Sequence, residues 1–158
     1  MENYMKLEIV AIGENESFAR SAVAAFALSL NPTLNDLSDI KTAVSEAVTN
    51  CVVHAYGRKD AKDTIIIECR TARTGDANGV IHITVTDNGC GIEDVDKAVA
   101  PFYTTLPGEE RSGMGFTIMQ TFMDEFSVHS IKNEGTQVRM MKRIGWVKNG
   151  EIREVADA

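Results

Sequence analysis

The sequence lacks any uninterrupted apolar run long enough to cross a membrane, and Met1–Ile12 carries a charged residue every few positions. A membrane-spanning helix needs about 20 predominantly apolar residues, and a secretory leader needs an apolar stretch behind its first charges. We therefore expect a cytoplasmic protein with neither a membrane anchor nor a leader.

Cysteine is scarce as well, with only Cys51, Cys69 and Cys90 in the chain and no pair in a CxxC spacing. An odd number of unpaired cysteines is not the pattern of a disulfide framework or of a structural zinc site. We expect three reduced thiols that act as small apolar side chains.

Positive charge is in deficit, since 16 Lys and Arg residues face 23 Asp and Glu residues and the net charge is -7. Such a protein repels the phosphates of nucleic acids and of anionic lipids. The composition therefore predicts no direct binding to nucleic acid or membrane and favours a basic protein partner.

A length of 158 residues fits one domain. We expect that domain to span residues 1–145 and the polar residues 146–158 to form a loose tail.

Hydrophobic periodicity predicts the order of helices and strands. The first helix is expected to bury Phe18, Ala22, Phe26 and Leu30, which recur every fourth residue, with Ala19 and Val23 alongside. Hairpins require antiparallel strand pairs. We therefore predict an α+β two-layer sandwich with helices on one face of a mixed, mostly antiparallel sheet. The predicted strands are Met5–Ile12, Thr64–Cys69, Val80–Thr86, Phe126–Lys132 and Thr136–Arg143, and the predicted helices cover residues 15–30, 35–55, 93–100 and a segment opened by Gly113.

Glu46 and Asn50 lie one turn apart in the second predicted helix, on the face opposite its apolar stripe. A carboxylate in this position can take a proton from a hydroxyl group, and a carboxamide oxygen is a suitable Mg²⁺ ligand when phosphate oxygens complete the shell. The alternative is an ordinary solvated helix face.

Asp87-Asn-Gly89-Cys-Gly91 follows a predicted strand directly. Two glycines allow a ligand to approach the backbone, and a carboxylate at the base of an apolar pocket can accept the amino hydrogen of adenine. The alternative is a simple turn, since Asp-Asn-Gly is common in turns.

Gly113-Met114-Gly115 stands where a loop enters an apolar helix, with Arg111 and Ser112 just before it. Backbone N–H groups and the positive end of the helix favour phosphate at such a place. The spacing is neither that of a P-loop nor that of a dinucleotide-binding strand and helix. The alternative is a flexible hinge for the preceding loop.

Taken in chain order, these segments resemble the Bergerat-fold family of ATP-binding domains, which includes DNA gyrase, Hsp90, MutL and histidine kinases. The resemblance covers residues 7–143 and rests on the segments 46–50, 87–91, 113–115 and 135–136. Within the family, the segments 15–20, 44–50, 54–56 and 110–119 are similar to the serine kinases that act as anti-sigma factors in spore-forming bacilli.

The resemblance implies that the chain uses ATP with Mg²⁺ and releases ADP. It makes Glu46 the catalytic base and Asn50 the Mg²⁺ ligand, with Asp87 and Thr136 recognising adenine. The remaining contacts to the nucleotide would come from His54, Gly89, Gly91, Thr104, Thr105, Arg111, Ser112, Gly113, Met114, Gly115 and Phe116.

The resemblance also implies protein partners. A homodimer with bound ATP would hold a sporulation sigma factor inactive, and it would phosphorylate an anti-anti-sigma factor on serine. Arg20 and Arg111 would face these partners, although each arginine on its own is equally an ordinary solvated charge. Leu106 stands where relatives often have Lys, so a lid cation that contacts phosphate does not carry over.

Three other functions stay open at this point. One is an anti-sigma serine kinase of the stress response, and another is an ATP-gated binding module without significant kinase chemistry. The third is the catalytic half of a histidine kinase, which would need a helical hairpin with a phosphorylatable histidine ahead of the first predicted strand.

Overall fold

The computed structural model describes residues 2–57, 62–73, 78–101 and 114–145. A 3₁₀ turn, Leu28–Leu30, follows the first helix, and a π-helical turn, Cys51–Ala55, prolongs the second. The strands and helices, in chain order, are β1 (Glu2–Val10), α1 (Glu14–Ala27), α2 (Leu34–Asn50), β2 (Thr64–Arg73), β3 (Gly79–Asp87), α3 (Val95–Ala98), α4 (Gly115–Phe122), β4 (Glu125–Ile131) and β5 (Gly135–Ile144).

The five strands form one sheet in the order β1-β2-β3-β5-β4, with β1 at one edge. Alternate strand residues such as Ile65, Ile67, Ile81 and Ile83 are fully buried and join one core with apolar residues of α1, α2 and α4. The predicted α+β two-layer sandwich is confirmed. We expected a mixed, mostly antiparallel sheet. All four pairings between described strands are antiparallel, so no parallel pair is found among them. Strand β5 lies between β3 and β4 and runs opposite to both, and β2 lies between β1 and β3 in the same way.

Helix α2 begins at a capping box. The Asp36 N–H donates to Thr33 Oγ1 at 3.1 Å, and the Thr33 N–H donates to Asp36 Oδ2 at 2.9 Å. These bonds satisfy backbone donors that would otherwise lack partners at a helix start. The predicted apolar stripe of α2 is confirmed by the burial of Ile40, Val44 and Val48, and the opposite face is therefore turned away from the sheet.

The prediction for the buried face of α1 was wrong at Phe18, whose exposed fraction is 55%. Ala19 and Val23 are buried as expected, together with Ala24 and Ala27. Adjacent positions on a helix differ by about 100°, so burying Ala19 turns Phe18 towards solvent. The small side chains of the buried face suit close packing against α2.

Several element boundaries also differ from prediction, and β1, for example, covers Glu2–Val10 and not Met5–Ile12. Strands β2 and β3 extend towards each other beyond their predicted ends at Cys69 and Val80, because their register continues to Arg73 and Gly79 and the side chain of Thr71 is buried. Helix α3 covers only Val95–Ala98, and the Asp94 side chain accepts a hydrogen bond from Lys97 N–H at its start. The expected tail, residues 146–158, lies outside the described residues.

Lys142 joins three elements. Its side chain is buried on the helix-covered face of β5, where Nζ donates to Asp39 Oδ2 in α2 and to the Phe122 carbonyl oxygen at the end of α4, both at 3.0 Å. A charged donor to a C-terminal carbonyl also suits the negative end of a helix. This contact fixes the end of α4 relative to α2.

Candidate functional site

Glu46 and Asn50 project together from α2, and α4 begins directly against them. A Cβ atom built on Gly115 would lie 3.1 Å from Glu46 Oε2 and 3.3 Å from both Oδ1 and Nδ2 of Asn50. Both side chains are half-buried. The pair therefore does not lie on a fully solvated helix face, and glycine at position 115 leaves the space next to these polar atoms open.

Asp87 is the last residue of β3 and lies beside the C-terminal end of α2. Its exposed fraction is 5%, Oδ1 accepts the Gly89 N–H at 2.9 Å, and Oδ2 accepts the Cys51 thiol at 3.5 Å. Burial raises the pKa of Asp87, and hydrogen bonds from Gly89, Cys51 and the Thr136 backbone partly offset this rise. Since Cys51 follows Asn50 in the chain, Asp87 adjoins the pair formed by Glu46 and Asn50.

The segment after Asp87 packs closely against backbone on both sides. A Cβ on Gly89 would lie 2.5 Å from the Ala55 carbonyl oxygen, which accepts the Cys90 N–H at 3.0 Å. Gly91 has φ +68°, and a Cβ there would overlap the Ile131 carbonyl oxygen. Both glycines are therefore required by the geometry of this loop.

His54 and Tyr56 fix the other side of the loop. The His54 carbonyl oxygen accepts the Cys90 thiol at 3.3 Å. The Tyr56 hydroxyl donates to the Thr64 carbonyl oxygen and accepts the Asn88 N–H, both at 2.7 Å. Burial raises the pKa of Tyr56, which the hydrogen bond from Asn88 opposes. Sequence reasoning gave Tyr56 no role, although it lies within a motif that the resemblance used.

The three cysteines are free thiols, as predicted. Burial raises the pKa of Cys51 well above its ordinary value and that of Cys69 to about 12, so both are inert apolar groups near neutral pH. Cys90 is exposed on the loop between Gly89 and Gly91.

Thr136 lies across from Asp87 in the pairing of β3 with β5, and Ser130 lies across from Thr136 in the pairing of β5 with β4. The hydroxyl oxygens of Ser130 and Thr136 are 2.8 Å apart. The structure thus brings Thr136 to Asp87 as the resemblance implied, and it adds Ser130, which sequence reasoning missed. Only the strand register could have revealed it.

At the start of α4, Met114 occupies the N-cap position and its carbonyl oxygen accepts the Ile118 N–H at 2.8 Å. The Phe116 ring packs on Phe126 with 5.8 Å between centroids. Phe116 therefore packs against the core. Five of the predicted nucleotide contacts lie outside the described residues, as does Leu106: Thr104, Thr105, Arg111, Ser112 and Gly113.

Arg20 stands at the rim of the site on α1. Its guanidinium pairs with Glu16 at 3.0 Å, reaches Ser45 Oγ at 3.5 Å and is 41% exposed. Ser45 directly precedes Glu46, so the partly exposed Arg20 guanidinium lies close to this pair. No helix in the described part of the chain is long and apolar enough to cross a membrane.

Solved structures that share this fold include two from mycobacteria. The crystal structure of the RsbU and RsbW domains of a Mycobacterium tuberculosis protein aligns with a TM-score of 0.62 and 19% identity, over 90% of this chain and 32% of that chain. A mycobacterial sensor histidine kinase, MprB, aligns with a TM-score of 0.50 and 15% identity, over 90% of this chain and 98% of that chain. These similarities concern the fold alone.

Sequence comparison is more specific. The family model for the histidine kinase-like ATPase domain matches residues 13–142. Anti-sigma F factor from Caldanaerobacter subterraneus subsp. tengcongensis is 54% identical over 143 residues, which are 90% of this chain and 95% of that protein. Anti-sigma F factor from Clostridium botulinum (strain Eklund 17B) is 52% identical over 142 residues, with the same two coverages. The chain therefore belongs to the anti-sigma F factor family, which is built on the histidine kinase-like ATPase domain.

Proposed function

We propose that this chain is an ATP-dependent protein serine kinase and anti-sigma factor whose nucleotide site lies between α2, the start of α4 and the loop after Asp87. One observation carries the proposal. Gly115 places the N-terminal end of α4 against Glu46 and Asn50, so phosphate-binding N–H groups, a carboxylate and a metal-binding carboxamide meet in one place.

The adenine and the phosphates of the nucleotide would contact different groups at the two ends of the site. Asp87 is a buried acceptor for the amino group of adenine, and Gly89 and Gly91 allow the base to approach the backbone. At the other end, the N–H groups of α4 face the phosphates. Mg²⁺ would be held by the Asn50 side-chain oxygen together with phosphate oxygens, where it would neutralise phosphate charge.

Glu46 is the group suited to remove a proton from the attacking serine. Its carboxylate lies on the same helix face as Asn50 and against the start of α4. In the transfer step, the serine oxygen forms a bond to the γ-phosphorus, the bond from that phosphorus to the bridging oxygen breaks, and the serine proton passes to Glu46. ADP then carries the leaving oxygen.

For partners, we propose a sigma factor of the F type held while ATP is bound, an anti-anti-sigma factor as the serine substrate, and a homodimer as the binding form. The family name of the relatives supports the sigma factor. The net charge of -7 suits a basic, DNA-binding protein. Arg20 supplies a positive charge beside the site for these partners. We also propose that residues 1–145 form the functional domain. The protein would act in the cytoplasm.

A binding assay with purified proteins tests the partner proposal. We expect the sigma F-type factor to be retained with ATP and released with ADP, and Arg20→Ala to weaken retention at least tenfold. Arg143→Ala, which removes an exposed arginine paired with Glu125 on the far strands, is the matched control. Equal retention with both nucleotides, or by both variants, would contradict the proposal.

Asp87→Asn should change both the ATP affinity and the free energy of unfolding. Because the pKa of Asp87 is raised in the folded protein, its ionised form costs stability at neutral pH, and this cost disappears as the pH falls through the raised pKa. We expect the variant to bind ATP more weakly yet to have a higher free energy of unfolding at pH 7. Its stability advantage should shrink as the pH falls towards 3.8, the ordinary value.

Urea denaturation at several pH values measures this difference, and isothermal titration measures the affinity. Asp96→Asn, on the exposed side of α3, controls for the loss of one negative charge. A stability difference that does not change with pH would show that Asp87 acts otherwise.

A further inference from the structure

Ser130, Thr136 and Asp87 form one cross-strand row at the base end of the proposed nucleotide site. Residues directly opposite in antiparallel strands project to the same face, so the three side chains are neighbours. Asp87 is buried, and Ser130 and Thr136 are half-buried. Asp87 and Thr136 have proposed roles at adenine, whereas Ser130 has none.

Three polar atoms surround the Ser130 hydroxyl oxygen. The Ile92 N–H donates to it at 2.7 Å. The Gly135 carbonyl oxygen lies 3.0 Å away and the Thr136 hydroxyl oxygen 2.8 Å away. Since Ser130 has a single hydroxyl proton, the direction of each hydrogen bond can be worked out from the groups involved.

A carbonyl oxygen never donates, so the contact with Gly135 is a hydrogen bond only when Ser130 gives its proton to it. The Ile92 N–H already donates to Ser130. The short contact between the two hydroxyl groups then needs a proton, and only Thr136 can provide it. Any other assignment places the lone pairs of Ser130 and Gly135 against each other at 3.0 Å.

We propose, on the basis of the nucleotide-binding function above, that Ser130 is a positioning residue that sets base specificity by holding the hydroxyl proton of Thr136. With that proton directed to Ser130, Thr136 can only accept a hydrogen bond from a ligand. Asp87 as a carboxylate also only accepts. The row thus presents two acceptors, which match the amino group of a 6-aminopurine.

A 6-oxopurine carries an acceptor at the same position, which would face two further acceptors. Such a mismatch leaves buried polar groups without partners, and this is the main source of discrimination between polar analogues. Without Ser130, Thr136 could rotate its proton towards the ligand and donate to an oxo group. Ser130 thus contributes to the rejection of 6-oxopurines.

The test compares ADP with inosine diphosphate, which carries an oxo group in place of the amino group, by isothermal titration. We expect Ser130→Ala to lower the ratio of ADP affinity to inosine diphosphate affinity at least tenfold. Ser130→Thr keeps a hydroxyl group and should retain the wild-type ratio. In a Thr136→Val background, which has no hydroxyl at position 136, the further change Ser130→Ala should leave the ratio unchanged.

A wild-type ratio in Ser130→Ala would overturn the proposal, as would an equal effect of this change with and without the Thr136 hydroxyl. Should Ser130→Ala fail to fold, Thr136→Val alone decides, because a wild-type ratio there shows that the hydroxyl does not select the base. Failure of the wild-type protein to bind ADP would instead contradict the proposed function itself.

Discussion

Replacing Glu46 with Gln should lower the rate of phosphoryl transfer to the serine substrate by about 10²–10⁴-fold, the usual contribution of a general base. The amide has nearly the same shape as the carboxylate, so the contact of α4 with α2 at Gly115 is retained. An amide cannot accept the serine proton. ATP affinity should therefore remain close to that of the wild type, and single-turnover transfer from labelled ATP separates chemistry from binding.

Glu125→Gln is the matched control for this variant. Glu125 is an exposed carboxylate on β4 whose ion pair with Arg143 is 3.6 Å long, and it lies outside the proposed site. Undiminished transfer by Glu46→Gln would remove the role of catalytic base. If the wild type itself bound ATP and the sigma factor but transferred no phosphate, an ATP-gated binding module would explain the protein better.

Replacing Gly91 with Ala should destabilise the fold by about 3 kcal/mol and abolish measurable nucleotide binding. A left-handed φ of +68° is strained for any residue with a Cβ, and here that Cβ would also overlap the Ile131 carbonyl oxygen. Relief requires the loop to move away from β4. Such a movement would break the hydrogen bond from Ile92 N–H to Ser130 and shift Gly89, whose N–H holds Asp87.

Gly13→Ala serves as the control, because Gly13 has φ -57° and no atom lies within 4 Å of a Cβ built there. Its free energy of unfolding should change by less than about 1 kcal/mol. Chemical denaturation gives both values, and titration with ADP gives the affinities. Equal stability of the two variants would mean that the loop does not need the left-handed conformation.

Local pattern was enough to predict much of the site. The period of α2 places Glu46 and Asn50 opposite the apolar stripe, and the position of Asp87 directly after an alternating strand predicts its place at the end of β3. Both depend on neighbours within a few residues. The family resemblance supplied the roles of these residues, which periodicity alone left open.

Other features depend on contacts between distant parts of the chain. The burial of Phe18 was predicted wrongly because α1 has two apolar stripes. Only packing against α2 selects the stripe made of small residues. Ser130 could not be predicted because its role arises from the strand register. The contact between Gly115 and Glu46 joins residues far apart in sequence, and no local signal shows which helix start meets which helix face.

The position of β1 at one edge of the sheet has a consequence for the behaviour of the protein at high concentration. On its outer side, β1 has no neighbouring strand among the described residues, so a row of backbone donors and acceptors remains open. Exposed edges of this kind promote aggregation through strand addition. Glu2, Lys6 and Glu8 are exposed along β1, and a foreign strand would have to meet their charges at alternate positions. The edge is thereby protected against unspecific strand addition without the need for a covering helix.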